Sequence, residues 1–259
     1  MIRQIKEGLF AIREGFVFRN YTAGRVLFDH LPKCAGSAID TYLGAQYPRR
    51  HVFKTDPNFP RESVAKFRKM SEIDRFRYRL VVGHMAHDLV ELVHPETTKL
   101  TILREPIDRI VSHYYYVLQQ DQHYLHDRVV GENIKLEQYA TLGLSEELSN
   151  WYTTHFTGWT LDEVNRNPTG ALKCALEVVT QKYDIVGFQN DLPGVAEQIR
   201  TAARFTDAFE NAMTNQTRKR LSLREISDEA RKSIGGANAV DLDLYSALER
   251  QFASRSFAA

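Results

Sequence analysis

Short runs of apolar residues alternate along the chain with longer stretches in which apolar positions recur every three or four residues. The runs are RVLFDH (25–30), RLVVGHM (79–85), KLTILRE (99–105) and YDIVGF (183–188). Most are apolar nearly throughout, which is typical of strands covered on both faces. Helical patterns lie between them, in SAIDTYLGAQ (37–46), in PIDRIVSHYYYVLQQ (106–120) and from about 127 to 180. Strands that alternate with helices predict an α/β fold with a parallel sheet, flanked by helices and joined by right-handed crossovers.

No internal repeat and no Gly/Ser-rich linker divides the sequence. We therefore expect a single domain over residues 1–259, in which the helical region 127–180 forms an insertion or lid. The first residues predict an amphipathic helix over 1–20, because one stripe contains Ile2, Ile5, Leu9, Ile12 and Phe16. Packing on its own domain is the expected role of this helix, and the alternatives are a homodimer contact or a membrane-surface helix.

The charge balance and the cysteine content indicate which partners and which compartment to expect. The 34 basic and 33 acidic residues nearly cancel, so no global field draws the protein toward nucleic acid or a membrane, although local basic patches can exist. Charged residues interrupt the N-terminal stripe, which argues against a signal peptide or a transmembrane segment. The two cysteines, Cys34 and Cys174, cannot form a disulfide framework and suit a reducing compartment. We expect a cytoplasmic protein.

The first candidate site is the turn between the strand at 25–30 and the helix that follows. Ligands bind beyond the carboxyl ends of parallel strands, and a helix N-terminus there offers unpaired N–H groups to a phosphate. Lys33 adds a compact cation, Ala35 and Gly36 allow close approach of the backbone, and Ser37 can cap the helix or bind an oxygen. The turn does not match the Walker A pattern. Taken alone, it fits an ordinary strand–helix connection with a solvated lysine equally well.

A second constellation lies in TILREPIDRIVSHYYY (101–116). Arg104 ends an apolar strand, Pro106 occupies a predicted first helical position, and Ser112 lies two turns into the helix. An arginine at a strand end can bind a phosphate in a bidentate manner, and a serine can add a hydrogen bond. Asp108 and Arg109 fit helix-surface or structural ion-pair roles better. Two anion-binding groups at two strand ends predict a ligand with two separate phosphates.

The two motifs together resemble the sulfotransferases that use 3′-phosphoadenosine 5′-phosphosulfate (PAPS). PKCAGSA (32–38) is similar to their 5′-phosphosulfate loop, Pro-Lys-Thr-Gly-Gly-Thr-Ser, and LREPIDRIVSHYYY (103–116) to their 3′-phosphate motif. The resemblance is greatest to carbohydrate sulfotransferases of the heparan/dermatan uronyl 2-O type, because VVGHM (81–85) matches their Gly-His pair. It is strong from Leu27 to about Gln120 and patchier beyond. It implies a P-loop-like sheet and a hydroxyl-bearing acceptor, with a carbohydrate as the first expectation. The near-zero net charge leaves no expectation of a nucleic-acid partner.

The resemblance also implies roles for individual residues. The 5′-phosphosulfate would be held by Lys33, Cys34, Ala35, Gly36, Ser37 and Ala38. The 3′-phosphate would be held by Arg104 and Ser112, and Arg218 and Lys219 would close over the nucleotide. The sequence departs from the family pattern at Cys34 and Ala38, where two hydroxyls are lost. Val82 stands where the 2-O enzymes have a further histidine, so their acceptor specificity does not transfer.

Sulfuryl transfer depends on positioning and on fixed positive charge near the leaving phosphate oxygen. We therefore expect Lys33 to act as the electrostatic catalyst and His84 as the general base for the acceptor hydroxyl. A metal is not expected, because no zinc-site spacing and no HExxH motif occurs. Two alternatives stay open: a P-loop nucleotide or small-molecule kinase, and a non-catalytic nucleotide- or glycan-binding protein of the same fold.

Overall fold

The computed structural model describes residues 23–210 and 220–253. The predicted N-terminal helix over 1–20 and the predicted nucleotide-binding residues Arg218 and Lys219 lie outside the described residues. The chain divides into two compact units. The first contains Met1–Ile102, Tyr183–Gly187 and Asp191–Thr214, and the second contains Leu103–Lys182, Phe188–Asn190 and Asn215–Ala259. The prediction of a single domain stays a prediction.

One parallel sheet of five strands confirms the predicted α/β class. The strands are β1 (Arg25–Asp29), β2 (Val52–Lys54), β3 (Leu80–Gly83), β4 (Thr97–Leu103) and β5 (Ile185–Phe188), in the order β2-β3-β1-β4-β5. The central strand β1 pairs with β3 and β4, with Asp29 opposite both Gly83 and Thr101. The carboxyl ends of β1 and β3 are therefore level, and β4 continues two residues farther, to Leu103. Strand β2, with three residues at the sheet edge, was not predicted.

Helices fill most of the remaining described chain. They are α1 (Gly36–Ala45), α2 (Pro60–Lys69), α3 (Glu72–Arg75), α4 (Pro106–Gln119), α5 (His126–Gly131), α6 (Leu136–Tyr139), α7 (Trp151–Thr157), α8 (Leu161–Arg166), α9 (Pro168–Lys182), α10 (Leu192–Ala203), α11 (Asp228–Ala237) and α12 (Ala239–Ala253). The region 127–180 contains helices and no strand. None of the helices in the described ranges is long and apolar enough to cross a bilayer.

The first unit is built around the sheet. Val26 and Phe28 of β1, Leu80 and Val82 of β3, and Leu100 of β4 are buried in one cluster. Two helices complete this core. Helix α1 contributes Ile39 and Leu43, and helix α10 contributes Val195 and Ile199. The residues of each pair are four positions apart and therefore lie on one face of their helix. The packing fixes the strand ends, and with them the loops that follow β1 and β3.

The second unit has a helical core centred on α4. Pro106 occupies the first turn of this helix, and the side chain of Glu105 accepts a hydrogen bond from the backbone N–H of Asp108 at 2.6 Å. Ile110, Val111 and Val117 of α4 are buried with residues of α5, α6 and α11. The observed start of α4 at Pro106 agrees with the start predicted from the sequence.

Candidate active site

The loop between β1 and α1 has a strained backbone. Lys33 and Ala35 adopt left-handed conformations, with φ of 66° and 61°, which cost roughly 1–2 kcal/mol per residue for an amino acid other than glycine. Ala35 is the N-cap residue and makes no side-chain capping bond. Ser37 lies within the first turn of α1, so the predicted capping role of Ser37 is wrong. With no side-chain cap, the first N–H groups of α1 suit an anionic ligand.

Cys34 and Ala38 differ in their surroundings. Cys34 is buried, its N–H donates to the carbonyl oxygen of Leu31 at 3.4 Å, and its Sγ lies 3.5 Å from the carbonyl oxygen of Pro32. Cys34 therefore serves as a small apolar residue that closes the turn. Lys33 and Ala38 are partly exposed, which leaves the lysine side chain accessible from solvent.

Gly36 packs against His30, which was not predicted as a site residue. A Cβ atom on Gly36 would lie 2.3 Å from Cδ2 of the His30 ring. This ring stacks on Phe28, with centroids 5.3 Å apart and planes 8° apart. The glycine is therefore required by the imidazole packed beneath it, in addition to any close approach of a ligand. The only signal in the sequence was a histidine at a strand end, which fits many structural roles.

His84 follows β3 directly and lies beside His30. Its Nδ1 is 2.6 Å from the carbonyl oxygen of His30, and the two rings are 5.0 Å apart, centroid to centroid. On the other side, Thr55 donates its hydroxyl to the carbonyl oxygen of His84 at 3.0 Å. A carbonyl oxygen can only accept a hydrogen bond, so the proton of the neutral His84 ring resides on Nδ1. The lone pair is then on Nε2, the atom that can accept a proton from a substrate.

His30 itself is held neutral. Burial, together with the nearby His84, lowers the pKa of His30 to about 4, and the carboxylates of Asp40 and Asp29 oppose this shift only in part. The two histidines therefore differ in role, because His30 is uncharged at neutral pH, while His84 has its Nδ1 bonded to a backbone carbonyl oxygen and its Nε2 left for a substrate. This arrangement avoids placing two positive rings side by side.

Arg104 lies in the second unit, directly after β4. Its Nε donates to Oδ2 of Asp108 at 2.6 Å, and its backbone N–H and carbonyl oxygen both bond the hydroxyl of Tyr152, at 3.1 and 2.8 Å. Arg220 donates to the other oxygen of Asp108 at 2.8 Å. Although burial raises the pKa of Asp108, bonds and charge from Arg220 and Arg104 outweigh it and hold that pKa below its usual value. Asp108 thus positions two guanidinium groups.

Ser112 and Arg109 occupy different parts of α4. Ser112 is buried in the second turn of the helix. Arg109 is fully buried, its Nη2 donates to the carbonyl oxygen of Glu147 at 2.6 Å, and its guanidinium lies 5.1 Å from the ring centroids of Trp151 and Tyr152. Arg109 is therefore structural and not on the helix surface.

The predicted site residues fall into two groups according to the unit that contains them. Lys33–Ala38 and His84 are in the first unit, and Arg104 and Ser112 are in the second. His30 in the first group and Arg220 in the second were not predicted from the sequence. Arg220 is the residue next to the predicted Lys219. The binding of one nucleotide by both groups stays a prediction.

Comparison with known proteins identifies the family. The model of the sulfotransferase family matches residues 18–246, most of the chain. No curated protein sequence matches. Among solved structures, mouse sulfotransferase SULT7A1 complexed with PAP matches with a TM-score of 0.38 and 11% identity, covering 91% of this chain and 89% of that one. The family match confirms the prediction of a PAPS-dependent sulfotransferase. The chain belongs to the sulfotransferase family.

Proposed function

We propose that this enzyme transfers the sulfuryl group of PAPS to a hydroxyl of a carbohydrate acceptor. The observation that carries the proposal is the pairing of β1 with β3, which sets the Lys33 loop and His84 at level strand ends. A cation and a proton acceptor with a fixed tautomer are the two groups that this chemistry requires.

The 5′-phosphosulfate binds the loop after β1 in this proposal. Backbone and side-chain groups from Lys33 to Ala38 hold the phosphate, and the left-handed residues Lys33 and Ala35 set the course of this loop. Arg104 and Ser112 bind the 3′-phosphate, and Arg218 and Lys219 close over the nucleotide. The proposal that one nucleotide is bound by both groups rests on the resemblance of the two motifs to those of the PAPS-dependent sulfotransferases.

Chemistry then proceeds by in-line displacement at sulfur. The acceptor oxygen forms a bond to sulfur, the bond from sulfur to the 5′-phosphate oxygen breaks, and the hydroxyl proton passes to Nε2 of His84. Negative charge grows on the leaving phosphate oxygen, where the Nζ of Lys33 stabilises it. His84 can take the proton without reorientation, because the carbonyl oxygen of His30 already holds its Nδ1–H.

The carbohydrate acceptor rests on the resemblance to the uronyl 2-O enzymes. Val82, at the position of their further histidine, is buried in the core of the first unit. Its side chain is therefore directed away from solvent, and the regiochemistry of those enzymes is not proposed for this one. A cytoplasmic location and a homodimer through residues 1–20 are further proposals, which follow from the charge and cysteine content and from the apolar stripe.

Transfer of radiolabelled sulfate from PAPS to a panel of glycosides, in EDTA, tests the proposal. We expect labelled product without added metal, and loss of product in the Lys33→Ala variant. A kinase would instead need Mg²⁺ and ATP, and the family match gives that alternative no support. Tight binding of 3′,5′-ADP with no transfer to any hydroxyl would contradict the proposal and favour a non-catalytic binding protein.

A further inference from the structure

Basic residues concentrate in one segment of the first unit. Residues 49–79 contain ten Lys or Arg and four Asp or Glu, whereas the whole chain contains 34 and 33. The rest of the chain is therefore net acidic. A near-zero total charge thus conceals a strongly basic region, and the distribution of charge, not its sum, determines which surface attracts an anionic partner.

Contacts join the parts of this segment to one another. Phe53 of the edge strand β2, Phe67 of α2 and Tyr78 form one aromatic cluster, with ring centroids 4.6, 5.4 and 6.1 Å apart. His51 lies 3.0 Å from the carbonyl oxygen of Arg77, and Arg50 donates to the other nitrogen of that ring at 3.2 Å. The cations before β2, on α2 and before β3 therefore surround one small core.

Helix α2 directs its cations outward. Val64 and Phe67 are buried, while Lys66 and Lys69, three residues apart, are exposed on the opposite face. We give the name basic corner to the exposed cations of this segment, which are Arg50, Arg61, Lys66, Arg68, Lys69 and Arg77. Asp74 and Asp88 lie within 4 Å of Arg77 and Arg68, but both arginine side chains remain more than half exposed, so the pairs neutralise only part of the positive charge.

Two large apolar side chains project from the same segment. Ile73 of α3 is 75% exposed, and Phe59, which precedes α2, is 55% exposed. They flank the basic helix on both sides along the chain. Nucleic acids and acidic glycans use cations but gain little from an exposed isoleucine. A bilayer surface uses both, since anionic headgroups attract Lys and Arg while aromatic and aliphatic side chains enter the interface.

We propose that the basic corner docks the enzyme on the surface of an anionic lipid membrane. Lys and Arg side chains contact the headgroup phosphates, and Phe59 and Ile73 insert at the boundary with the acyl chains. The protein lies on the membrane and does not span it. This proposal does not depend on the acceptor or on catalysis.

Co-sedimentation of the full chain with vesicles tests this docking. We expect binding to phosphatidylcholine vesicles that contain phosphatidylglycerol, little binding to pure phosphatidylcholine, and weaker binding at high salt. Lys66→Glu with Lys69→Glu should lower the partition coefficient at least about tenfold. Lys173→Glu with Lys232→Glu, exposed cations elsewhere, makes the same change in total charge and should bind as the parent does.

A second pair of variants separates lipid from other polyanions. Phe59→Ser with Ile73→Ser keeps the charge and should weaken vesicle binding several-fold, while binding to soluble dextran sulfate stays unchanged. Equal binding of parent and Lys66→Glu/Lys69→Glu to the anionic vesicles would overturn the proposal. So would vesicle binding that Phe59→Ser/Ile73→Ser leaves intact, because the surface would then recognise polyanions in general. Far-ultraviolet circular dichroism of each variant verifies that it is folded.

Discussion

The Nδ1 atom of His84 lies 2.6 Å from the backbone carbonyl oxygen of His30. This contact joins the residues that follow β1 and β3, which are far apart in the sequence. A backbone carbonyl oxygen can only accept a hydrogen bond, so the Nδ1 atom of a neutral His84 must carry the proton. The contact therefore selects the tautomer of His84 without using a carboxylate. His84 therefore presents a lone pair on Nε2 in its neutral form, and catalysis by this atom is the first consequence to test.

Replacing His84 by alanine should lower kcat by about 10²–10⁴-fold, the usual contribution of a general base. The KM for PAPS should change little, because His84 is proposed to act on the acceptor. Steady-state rates with the best acceptor of the glycoside panel measure both constants. His94→Ala is the matched control, since its ring packs against Phe76, and it should keep the parent rate. A His84→Ala enzyme with parental kcat would exclude the proposed base.

Gly36→Ala should destabilise the protein by about 1–3 kcal/mol, because the new Cβ atom would overlap the ring of His30. The unfolding free energy in urea measures this loss. Combining Gly36→Ala with His30→Ala removes the overlap, so the double variant should be more stable than the sum of the single effects predicts. Additive effects would show that the two residues do not press on each other.

Gly44 of the same helix gives the control for this pair. A Cβ atom on Gly44 would meet no other atom within 4 Å. Gly44→Ala should therefore stabilise the protein by about 0.4–1 kcal/mol through the reduced backbone entropy of the unfolded chain. If Gly36→Ala lowers the unfolding free energy and Gly44→Ala raises it, the loss in Gly36→Ala comes from the contact with His30 and not from helix propensity.

Asp108 should make the free energy of unfolding depend on pH in the acidic range. Its pKa is lowered in the folded state by Arg220 and Arg104, so the unfolded chain binds this proton more tightly. The stabilisation is then fully present above the unfolded pKa of about 4 and is lost as the pH falls through the lower folded value. Asp108→Asn should lose about 1.5–3 kcal/mol at pH 7.

Urea unfolding of the parent and of Asp108→Asn at several pH values measures this contribution. The difference between the two proteins should shrink as the pH drops from 5 to 3. A difference that does not change with pH would rule out Asp108 as the titrating group.

Several elements were predictable from sequence alone because local signals agreed. The apolar runs gave β1, β3, β4 and β5 within a few residues. Pro106 marked the start of α4. Gly36 marked the loop between β1 and α1. Each of these signals lies within one segment of the chain, where propensity and burial act together.

The missed features depend on tertiary contacts. Strand β2 has only three residues, too few for a periodic pattern. The left-handed conformations of Lys33 and Ala35 carry no signal, because neither residue is a glycine. Packing of His30 against Gly36 and the bond from Arg220 to Asp108, 112 residues apart in the chain, appear only when the fold brings these residues together.

The most direct test of the account compares the affinities of 3′,5′-ADP and 5′-AMP in the parent and in Arg104→Ala. The two ligands differ only in the 3′-phosphate, so 5′-AMP controls for any disturbance that loss of Arg104 causes elsewhere. Isothermal titration calorimetry gives both constants. We predict that the parent prefers 3′,5′-ADP and that Arg104→Ala weakens this ligand at least about tenfold while 5′-AMP binds as before. Equal weakening of both nucleotides, or no preference in the parent, would contradict the claim that Arg104 and the Lys33 loop bind one PAPS molecule.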